Sequence, residues 1–459
     1  MIILHPADWA VVGLYIASLF FIAYLAMRRI RDCGGYLLGK RKLGKLMLMA
    51  TAFAGGTNAN HPIAVAAATF KNGLSGLWLS LVWMLITPWF WMYPPVLRRL
   101  RIVTLVDLVQ LRFGRLMATL FKLVSLVSGP VSMGLGIKSA AVVTEVMTGG
   151  ALKDEWALVV IVVPTIIYSL MGGVIAAYAT DVLQGALIIV LSFLLIPFAI
   201  ARAGGIEPLN AAISEEMTHL IAREGAAGFG FWWVFWFTAG ILFSATVSTG
   251  GGALAARNEF AARSQIFGLI AKRFCTVGWG LVGLLGAALY AGNARIAANP
   301  DLIFPMMSGD LLPVVLRGLM VASVLAAVMS SLDGMMTGFG GLVVNNIYQT
   351  HIVRQATPAH YLFMTRLFSI VGVLLGWWVA GGVRSLVEFS TLMEPFNGLT
   401  GMAILVALMW RRVTKWGAIA SVLVMVPLFT IGNTWTLPEG VASLPWGVRQ
   451  AVEGMMTLY

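Results

Sequence analysis

Two of the apolar stretches in this chain are interrupted near their middle by glycines and polar residues. The first interruption lies at 54–62 and reads AGGTNANHP, and the second lies at 248–252 and reads STGGG. In hydrocarbon, an unwound backbone leaves N–H and C=O groups unpaired, at a cost of several kcal/mol for each group. Both breaks are therefore expected to line a protein-walled cavity. Paired discontinuous helices indicate the substrate and ion site of a secondary transporter.

The composition predicts an all-α integral membrane protein. The chain is 59% hydrophobic and 11% charged, with a mean hydropathy of +0.88. It contains about twelve apolar runs, each long enough to cross the ~30 Å of hydrocarbon in a bilayer. These runs lie at 7–27, 46–70, 76–97, 116–148, 157–175, 181–203, 229–255, 266–292, 311–345, 364–383, 386–410 and 415–432.

The net charge of +12 reflects membrane topology rather than nucleic-acid binding. Basic residues cluster in alternate loops, at 28–45, at 98–115 and after the seventh span. We assign Lys272 and Arg273 to the last of these loops. Segment 204–228, in contrast, is acidic. By the positive-inside rule the basic loops are cytoplasmic. We therefore expect a multi-pass protein of the cell (inner) membrane with its N-terminus outside and both termini on the same side.

The spans are expected to form one transmembrane domain over 1–459. Counting five spans from each broken helix gives two halves of opposite starting orientation, which indicates an inverted repeat. The expected parts are a leading helix at 7–27, a first repeat at 46–203, a second repeat at 229–410 and a trailing helix at 415–432.

The ninth span contains adjacent hydroxyls at Ser330 and Ser331, within the segment AAVMSSLDG at 326–334. Hydroxyl oxygens on a buried helix are suitable ligands for a hard monovalent cation. Carbonyl oxygens freed near Ala54 and Thr57 would complete such a shell. The alternative is that the two serines only hydrogen-bond a neighbouring helix, as small polar residues do in bundles.

Four segments together resemble the solute:sodium symporter family. Segment 172–184 reads GGVIAAYATDVLQ and resembles the family signature GG-x-x-A-V-x-x-T-D-x-x-Q. Segment 326–334 resembles A-A-x-M-S-S/T-x-D/S, and segment 256–263 resembles the Q-R-x-x-A-A-K/R loop. Segment 394–412 is similar to the family's late P…G-x-x-x-x-x-W-R-R helix. The four occur in the family's order and extend over nearly the whole chain.

This resemblance implies a LeuT-like fold, with inverted repeats in spans 2–6 and 7–11 and discontinuous helices at spans 2 and 7. It implies Na⁺ as the coupling ion, bound where the first break meets the ninth span. The ligands carried over are the carbonyls of Ala54, Thr57 and Ala327 and the hydroxyls of Ser330 and Ser331. Asp181 matches an acidic residue near the ion path. The alternative for Asp181 is a helix N-cap after Thr180.

Several residues depart from the family pattern. Gly56 stands where relatives often have a hydrogen-bonding side chain, and the third span is apolar at 79–86, which argues against a sugar substrate. At the second break, Gly251 and its neighbouring glycines offer only backbone groups to a substrate.

Lys138 lies deep in the fourth span. An ammonium near the bilayer centre costs at least ~2.5 kcal/mol, so it needs a partner or a function. We predict that Lys138 binds a carboxylate on the substrate. The alternative is a salt bridge to Glu394, Asp333 or Glu145.

Other polar residues are candidates for the substrate site. Asn58, Asn60 and His61 occupy the first break, and His61 could alternatively titrate and couple protons. Glu394 and Asn397 interrupt an apolar helix, so they face the cavity or lie at a helix end.

No catalytic or nucleotide-binding motif is present in the sequence, so we do not expect an enzyme or an ATP-driven pump. The sequence predicts a sodium-coupled symporter of a small organic solute, with a carboxylate group suggested by Lys138. Two alternatives remain open. One is a proton-coupled transporter of the same fold, and the other is a transporter-like sensor or uncoupled channel.

Overall fold

The computed structural model describes residues 4–27, 33–150, 154–223, 228–248, 250–382, 401, 404–420 and 423. The regular elements of these residues are helical, apart from one isolated β-bridge between Leu43 and Ala256. The α-helices, in chain order, are α1 Pro6–Met27, α2 Cys33–Leu38, α3 Lys45–Ala54, α4 Asn60–Asn72, α5 Trp78–Leu85, α6 Thr87–Leu100, α7 Leu105–Phe113, α8 Arg115–Met147, α9 Asp154–Phe193, α10 Leu195–Arg202, α11 Ile206–Ala212, α12 Phe231–Ser248, α13 Gly250–Ala255, α14 Glu259–Arg263, α15 Gln265–Tyr290, α16 Ala294–Ala298, α17 Ile303–Leu311, α18 Leu316–Val343 and α19 Pro358–Gly382.

Seven helical runs among the described residues are long and apolar enough to cross a membrane. They are Pro6–Met27, Asn60–Leu100, Arg115–Met147, Val159–Arg202, Glu259–Tyr290, Leu316–Ile352 and Pro358–Gly382. The predicted number of twelve spans is not confirmed. The eleventh and twelfth predicted spans lie mostly outside the described residues, and the first broken helix is divided into α3 and α4, each shorter than a full span.

The helix α9 contains the predicted fifth span and the start of the sixth. A straight helix of its 40 residues would measure roughly 60 Å, about twice the hydrocarbon thickness. The helical direction changes at Gly173, whose φ of +47° lies in the left-handed region. A Cβ at this position would lie 2.4 Å from the ring of Tyr36, so both the conformation and the packing require glycine.

The centre of the bundle is α18, which is buried on nearly all sides. It packs against α1, α8, α9 and α19. Small residues permit this close approach. For example, a Cβ on Gly340 would lie 2.2 Å from the hydroxyl of Ser369 on α19. A helix that is apolar and small on every face is suited to such a central position.

The start of α3 and the end of α13 lie together at one end of the bundle. We call this end the basic end, and we define it by Arg41, Arg98, Arg99, Arg257 and Arg263. Here the N–H of Leu43 donates to the carbonyl of Ala255 at 3.4 Å, and the N–H of Arg257 donates to the carbonyl of Leu43 at 3.0 Å. The Arg98 guanidinium donates to the carbonyl of Ala256 at 2.5 Å. The start of α3 and the end of α13 are therefore in contact at this end.

Candidate sodium and substrate site

The first break lies where the sequence predicts it. Helix α3 ends at Ala54 and α4 begins at Asn60. Thr57 stabilises the turn between them, because its N–H donates to the carbonyl of Ala54 at 2.8 Å and its hydroxyl donates to the carbonyl of Phe53 at 2.6 Å. Gly56 is exposed, although the last turn of α3 is buried. The break therefore borders open space.

Three of the five predicted sodium ligands meet between this break and α18. The hydroxyl of Ser331 donates to the carbonyl of Ala327 at 3.1 Å and lies 3.4 Å from the carbonyl oxygen of Thr57. A fourth, Ala54, is buried at the adjoining end of α3. Neutral hydroxyl and carbonyl oxygens are ligands that a hard cation prefers.

The fifth predicted ligand, Ser330, is bonded to Asp181. Its hydroxyl donates to one carboxylate oxygen of Asp181 at 2.5 Å, and Thr51 donates to the other at 2.6 Å. Asp181 therefore links α9 to α3 and α18, and only 1% of its surface is exposed. Since Asp181 lies inside α9, the alternative of a helix N-cap after Thr180 is wrong. As a donor, the Ser330 oxygen keeps its lone pairs for a cation.

The polar residues after Thr57 organise the start of α4. The N–H of Asn58 donates to Nδ1 of His61 at 2.9 Å, and Oδ1 of Asn58 accepts from the N–H of Ala59 at 2.8 Å. Nδ1 of His61 also lies 3.2 Å from the carbonyl oxygen of Asn58, so both backbone polar groups of Asn58 are within hydrogen-bond distance of the ring. The side-chain oxygen of Asn60 is buried and accepts no hydrogen bond from the described residues.

The second predicted break falls on Thr249, so its presence stays a prediction. Helix α12 ends at Ser248 and α13 begins at Gly250, while Thr249 lies outside the described residues. Gly251 is exposed, and no heavy atom of the described chain lies within 4 Å of the position that a Cβ would take. Gly251 thus borders open space, and its role in substrate binding stays a prediction.

Lys138 lies half-buried on α8, on a different face from the one that contacts the break. A Cβ on Gly136 would lie 2.7 Å from Nδ2 of Asn58, so Gly136 faces the break. A Cβ on Gly134 would lie 2.7 Å from the carbonyl of Gly376 on α19. Residues four apart share a helix face, whereas residues two apart do not. Lys138 therefore shares the α19-facing side with Gly134.

The remaining predicted residues are less informative. Glu394 and Asn397 lie outside the described residues. Asp333, one alternative partner of Lys138, is buried and accepts a hydrogen bond from the hydroxyl of Tyr168 at 2.8 Å. Substrate binding by Lys138, Glu394 and Asn397 stays a prediction.

Two functional candidates were missed by the sequence analysis, which assigned Lys272 and Arg273 to a basic loop. Both lie within α15, with only 5% and 4% of their surfaces exposed. The ammonium of Lys272 donates to the carbonyl of Gly56 in the first break. Nη1 of Arg273 donates to the carbonyl and the hydroxyl of Ser80 on α5, at 2.5 and 2.9 Å. The sequence did contain a signal for their burial, because both residues lie inside the predicted eighth span at 266–292.

Among the described residues, the partners of these two cations are neutral oxygens. Within the described ranges, ion pairs join Arg99 to Glu259 and Arg223 to Glu215, on exposed side chains, and none includes Lys272 or Arg273. A charged side chain near the bilayer centre costs about 2.5–3.5 kcal/mol on the insertion scale, so such residues are usually functional.

The chain is similar over most of its length to known transporters. A family model described as the sodium:solute symporter family matches residues 36–424. The high-affinity proline transporter PutP of Bacillus subtilis is 25% identical over 426 residues, which cover 88% of each chain. Sodium/glucose cotransporter 1 of Oryctolagus cuniculus is 24% identical, with 90% of this chain and 70% of that protein covered.

Two solved structures establish the similarity of fold. A substrate-bound, outward-open Na⁺-coupled sialic acid symporter aligns with a TM-score of 0.82 at 15% identity, covering 98% of this chain and 95% of that one. Mhp1, a nucleobase-cation-symport-1 family transporter in a closed conformation with bromovinylhydantoin, aligns with a TM-score of 0.58 at 12% identity, covering 92% and 93%. The chain therefore shares the fold of these transporters, in agreement with the LeuT-like fold that the family resemblance implies.

Proposed function

The chain belongs to the sodium:solute symporter family, and from this premise we propose that it couples inward movement of Na⁺ to uptake of a small organic solute by alternating access. It is a multi-pass membrane transporter and not an enzyme. The observation that carries the proposal is the meeting of Thr57, Ala327 and Ser331 oxygens between the first break and α18. In this proposal Ala54, Thr57, Ala327, Ser330 and Ser331 bind the sodium ion.

The solute would bind beside the sodium ion, at the exposed parts of the two breaks. Asn58, Asn60 and His61 at the first break and Gly251 at the second are the proposed lining residues. A sodium ion crossing a ~100 mV potential releases ~2.3 kcal/mol. This energy supports roughly fiftyfold accumulation of a neutral solute for each ion.

Alternating access requires that the basic end open and close. The contacts of Leu43 with Ala255 and Arg257 and the Arg99–Glu259 ion pair close it in this structure. By the positive-inside rule this end faces the cytoplasm of a cell (inner) membrane, with the N-terminus outside. Releasing the solute inward would separate α3 from α13 there.

Sodium binding is tested by thermal unfolding of the purified protein in NaCl and in KCl at equal ionic strength. A ligand that binds only the folded state stabilises it, by about 2.7 kcal/mol at a hundredfold excess over Kd. We expect the NaCl melting temperature to exceed the KCl one in the wild type. Loss of both hydroxyls, in Ser330→Ala/Ser331→Ala, should remove this difference.

Ser323→Ala is the matched control. Ser323 is also buried on α18, but its hydroxyl donates only to the carbonyl of Leu319 in its own helix, at 2.7 Å. This variant should keep the sodium-dependent shift. A wild-type protein that melts equally in NaCl and KCl, or a double variant that keeps the full shift, contradicts the proposed sodium site and favours proton coupling or an uncoupled protein.

A further inference from the structure

We propose that Lys272 and Arg273 form an anion-binding wall of the substrate site, and that the Lys272 ammonium binds a carboxylate of the transported solute. This inference rests on the proposed transport function and specifies its substrate class. It is carried by the position of two adjacent buried cations beside the first break, with neutral oxygens as their only partners in the described chain.

The two cations have different roles because they are held differently. Two hydrogen bonds to Ser80 fix the guanidinium of Arg273 against α5. The ammonium of Lys272 has three donors, and one of them is used by the carbonyl of Gly56. Lys272 therefore has donors left for a ligand, whereas Arg273 supplies fixed positive charge next to it.

The carboxylates that are buried among the described residues have other partners, and Asp8 accepts from the N–H groups of Val315 and Gly318. Asp181 accepts from Ser330 and Thr51, on the side of the break that faces α18. Asp333 accepts from Tyr168. Neither is in contact with Lys272 or Arg273. A bound sodium ion would add a further positive charge at the same break, so an anionic ligand would lower the electrostatic energy of the loaded site.

The ammonium is bonded to a residue that borders open space, although only 5% of the surface of Lys272 is itself exposed. Gly56, whose carbonyl it contacts, is exposed at the centre of the break. Helix α4 begins four residues later, at Asn60, and its N-terminus adds partial positive charge. The buried side-chain oxygen of Asn60, which accepts no hydrogen bond from the described part of the chain, lies at the same helix start. A hydroxyl or ammonium group of an organic carboxylate can donate a hydrogen bond to this oxygen, whereas a halide cannot.

The test compares carboxylates with their neutral amides by thermal unfolding in NaCl. The probes are propionate, pyruvate and L-proline, each paired with propionamide, pyruvamide or L-prolinamide, with chloride held constant. We expect at least one carboxylate to stabilise the wild type and its amide to do so far less. If no carboxylate exceeds its amide, or if chloride alone gives the shift, the inference is overturned.

Substitution of Lys272 locates the effect. Lys272→Gln should weaken carboxylate binding roughly thirtyfold or more, as removal of one partner of a buried charge pair does, and should keep the NaCl-over-KCl shift. Lys272→Arg, which keeps the charge, should retain part of the binding and serves if the glutamine variant does not fold. Lys122→Gln, on the far part of α8, is the matched control and should bind like the wild type.

Two further outcomes would overturn the inference. Carboxylate binding that is lost in Lys138→Gln and kept in Lys272→Gln would move the anion site to α8. In the second outcome, Lys272→Gln binds carboxylates like the wild type, and its Hill coefficient for sodium rises from about one to two. The Lys272 ammonium would then occupy the place of a second sodium ion rather than bind the solute. Absence of the sodium shift in the wild type would contradict the proposed function and leave the carboxylate comparison to be judged separately.

Discussion

The two sides of the first break present opposite chemistry. The side facing α18 offers the carbonyl of Thr57 and the hydroxyl of Ser331, with the carboxylate of Asp181 behind Ser330. The side facing α15 meets the ammonium of Lys272 at the carbonyl of Gly56. One short unwound segment is therefore in contact with a cation-attracting surface on one side and a cationic surface on the other.

This difference follows from the loss of helical order. In a helix all carbonyls point along the axis and are used by the i−4 hydrogen-bond pattern. In the break, the carbonyls of Gly56 and Thr57 point to different neighbours. A sodium ion and an organic anion can then bind the same few residues from opposite sides. If both do, each should raise the affinity for the other, as linkage requires.

Of the proposed substitutions, Asp181→Asn is expected to change the ratio of sodium affinity to carboxylate affinity most. It removes the charge that the hydroxyls of Ser330 and Thr51 now contact. Loss of a residue that orients metal ligands typically weakens metal binding 10–100-fold. We expect sodium titrations of the melting temperature to show a loss of about that size, while carboxylate binding at saturating sodium changes little.

Asp107→Asn is the matched control for this charge change. Asp107 accepts from the N–H of Thr104 at the start of α7, near the basic end. Its sodium Kd should equal that of the wild type. Equal sodium affinity in Asp181→Asn and Asp107→Asn would mean that Asp181 is not part of the sodium-binding side.

Gly136→Ala should affect both sides together. The new Cβ would lie 2.7 Å from Nδ2 of Asn58, so the Asn58 amide, which accepts from the N–H of Ala59 in the break, must shift. Overpacking of this kind costs about 1–3 kcal/mol. We expect sodium and carboxylate affinities to fall by similar factors, of roughly five- to tenfold.

Gly338→Ala on α18 is its control, since no heavy atom of the described chain lies within 4 Å of the new Cβ. Both affinities should stay at wild-type values there. If Gly136→Ala weakens one ligand and leaves the other unchanged, the two sides do not share the break as a common element.

The sequence predicted the sodium side of this comparison and missed the cationic side. Ser330 and Ser331 are adjacent on one helix, and the glycines mark the break, so local pattern was enough to bring them into one hypothesis. Lys272 contacts the break only through the packing of α15 on α3 and α4. The positive-inside rule counts charges along the chain, and it assigned a buried cation to a loop.

Helix rotation explains a second limit. Substrate binding by Lys138 was predicted from its depth in the membrane and stays a prediction, whereas the structure shows that Gly136, two residues earlier on α8, faces Asn58. Depth follows from the length of an apolar run, whereas the direction of a side chain depends on neighbours that hydropathy does not identify. The boundary at Gly173 was missed for a related reason, since a single left-handed glycine replaced the loop expected between two spans.

The smallest expected effect lies at the basic end, away from both sides of the break. Arg99 donates to both carboxylate oxygens of Glu259, at 2.6 and 2.8 Å, and these hydrogen bonds hold the pKa of Glu259 below its usual range. A carboxyl whose pKa is lower in the folded than in the unfolded state stabilises the fold above its unfolded pKa. This contribution is lost as the pH falls through the folded pKa.

Glu259→Gln should therefore lower the melting temperature slightly near neutral pH, and the difference from the wild type should shrink in acid and at high salt. Glu215→Gln, in the exposed pair with Arg223 at 4.0 Å, is the matched control. Because the Arg99–Glu259 pair holds α6 to α14 and contacts neither side of the break, sodium and carboxylate affinities should both change by less than roughly twofold. A larger change in sodium affinity, with carboxylate affinity unchanged, would show that the basic end affects only the sodium-binding side of the break. Closure of the basic end would then be coupled to sodium binding and not to carboxylate binding.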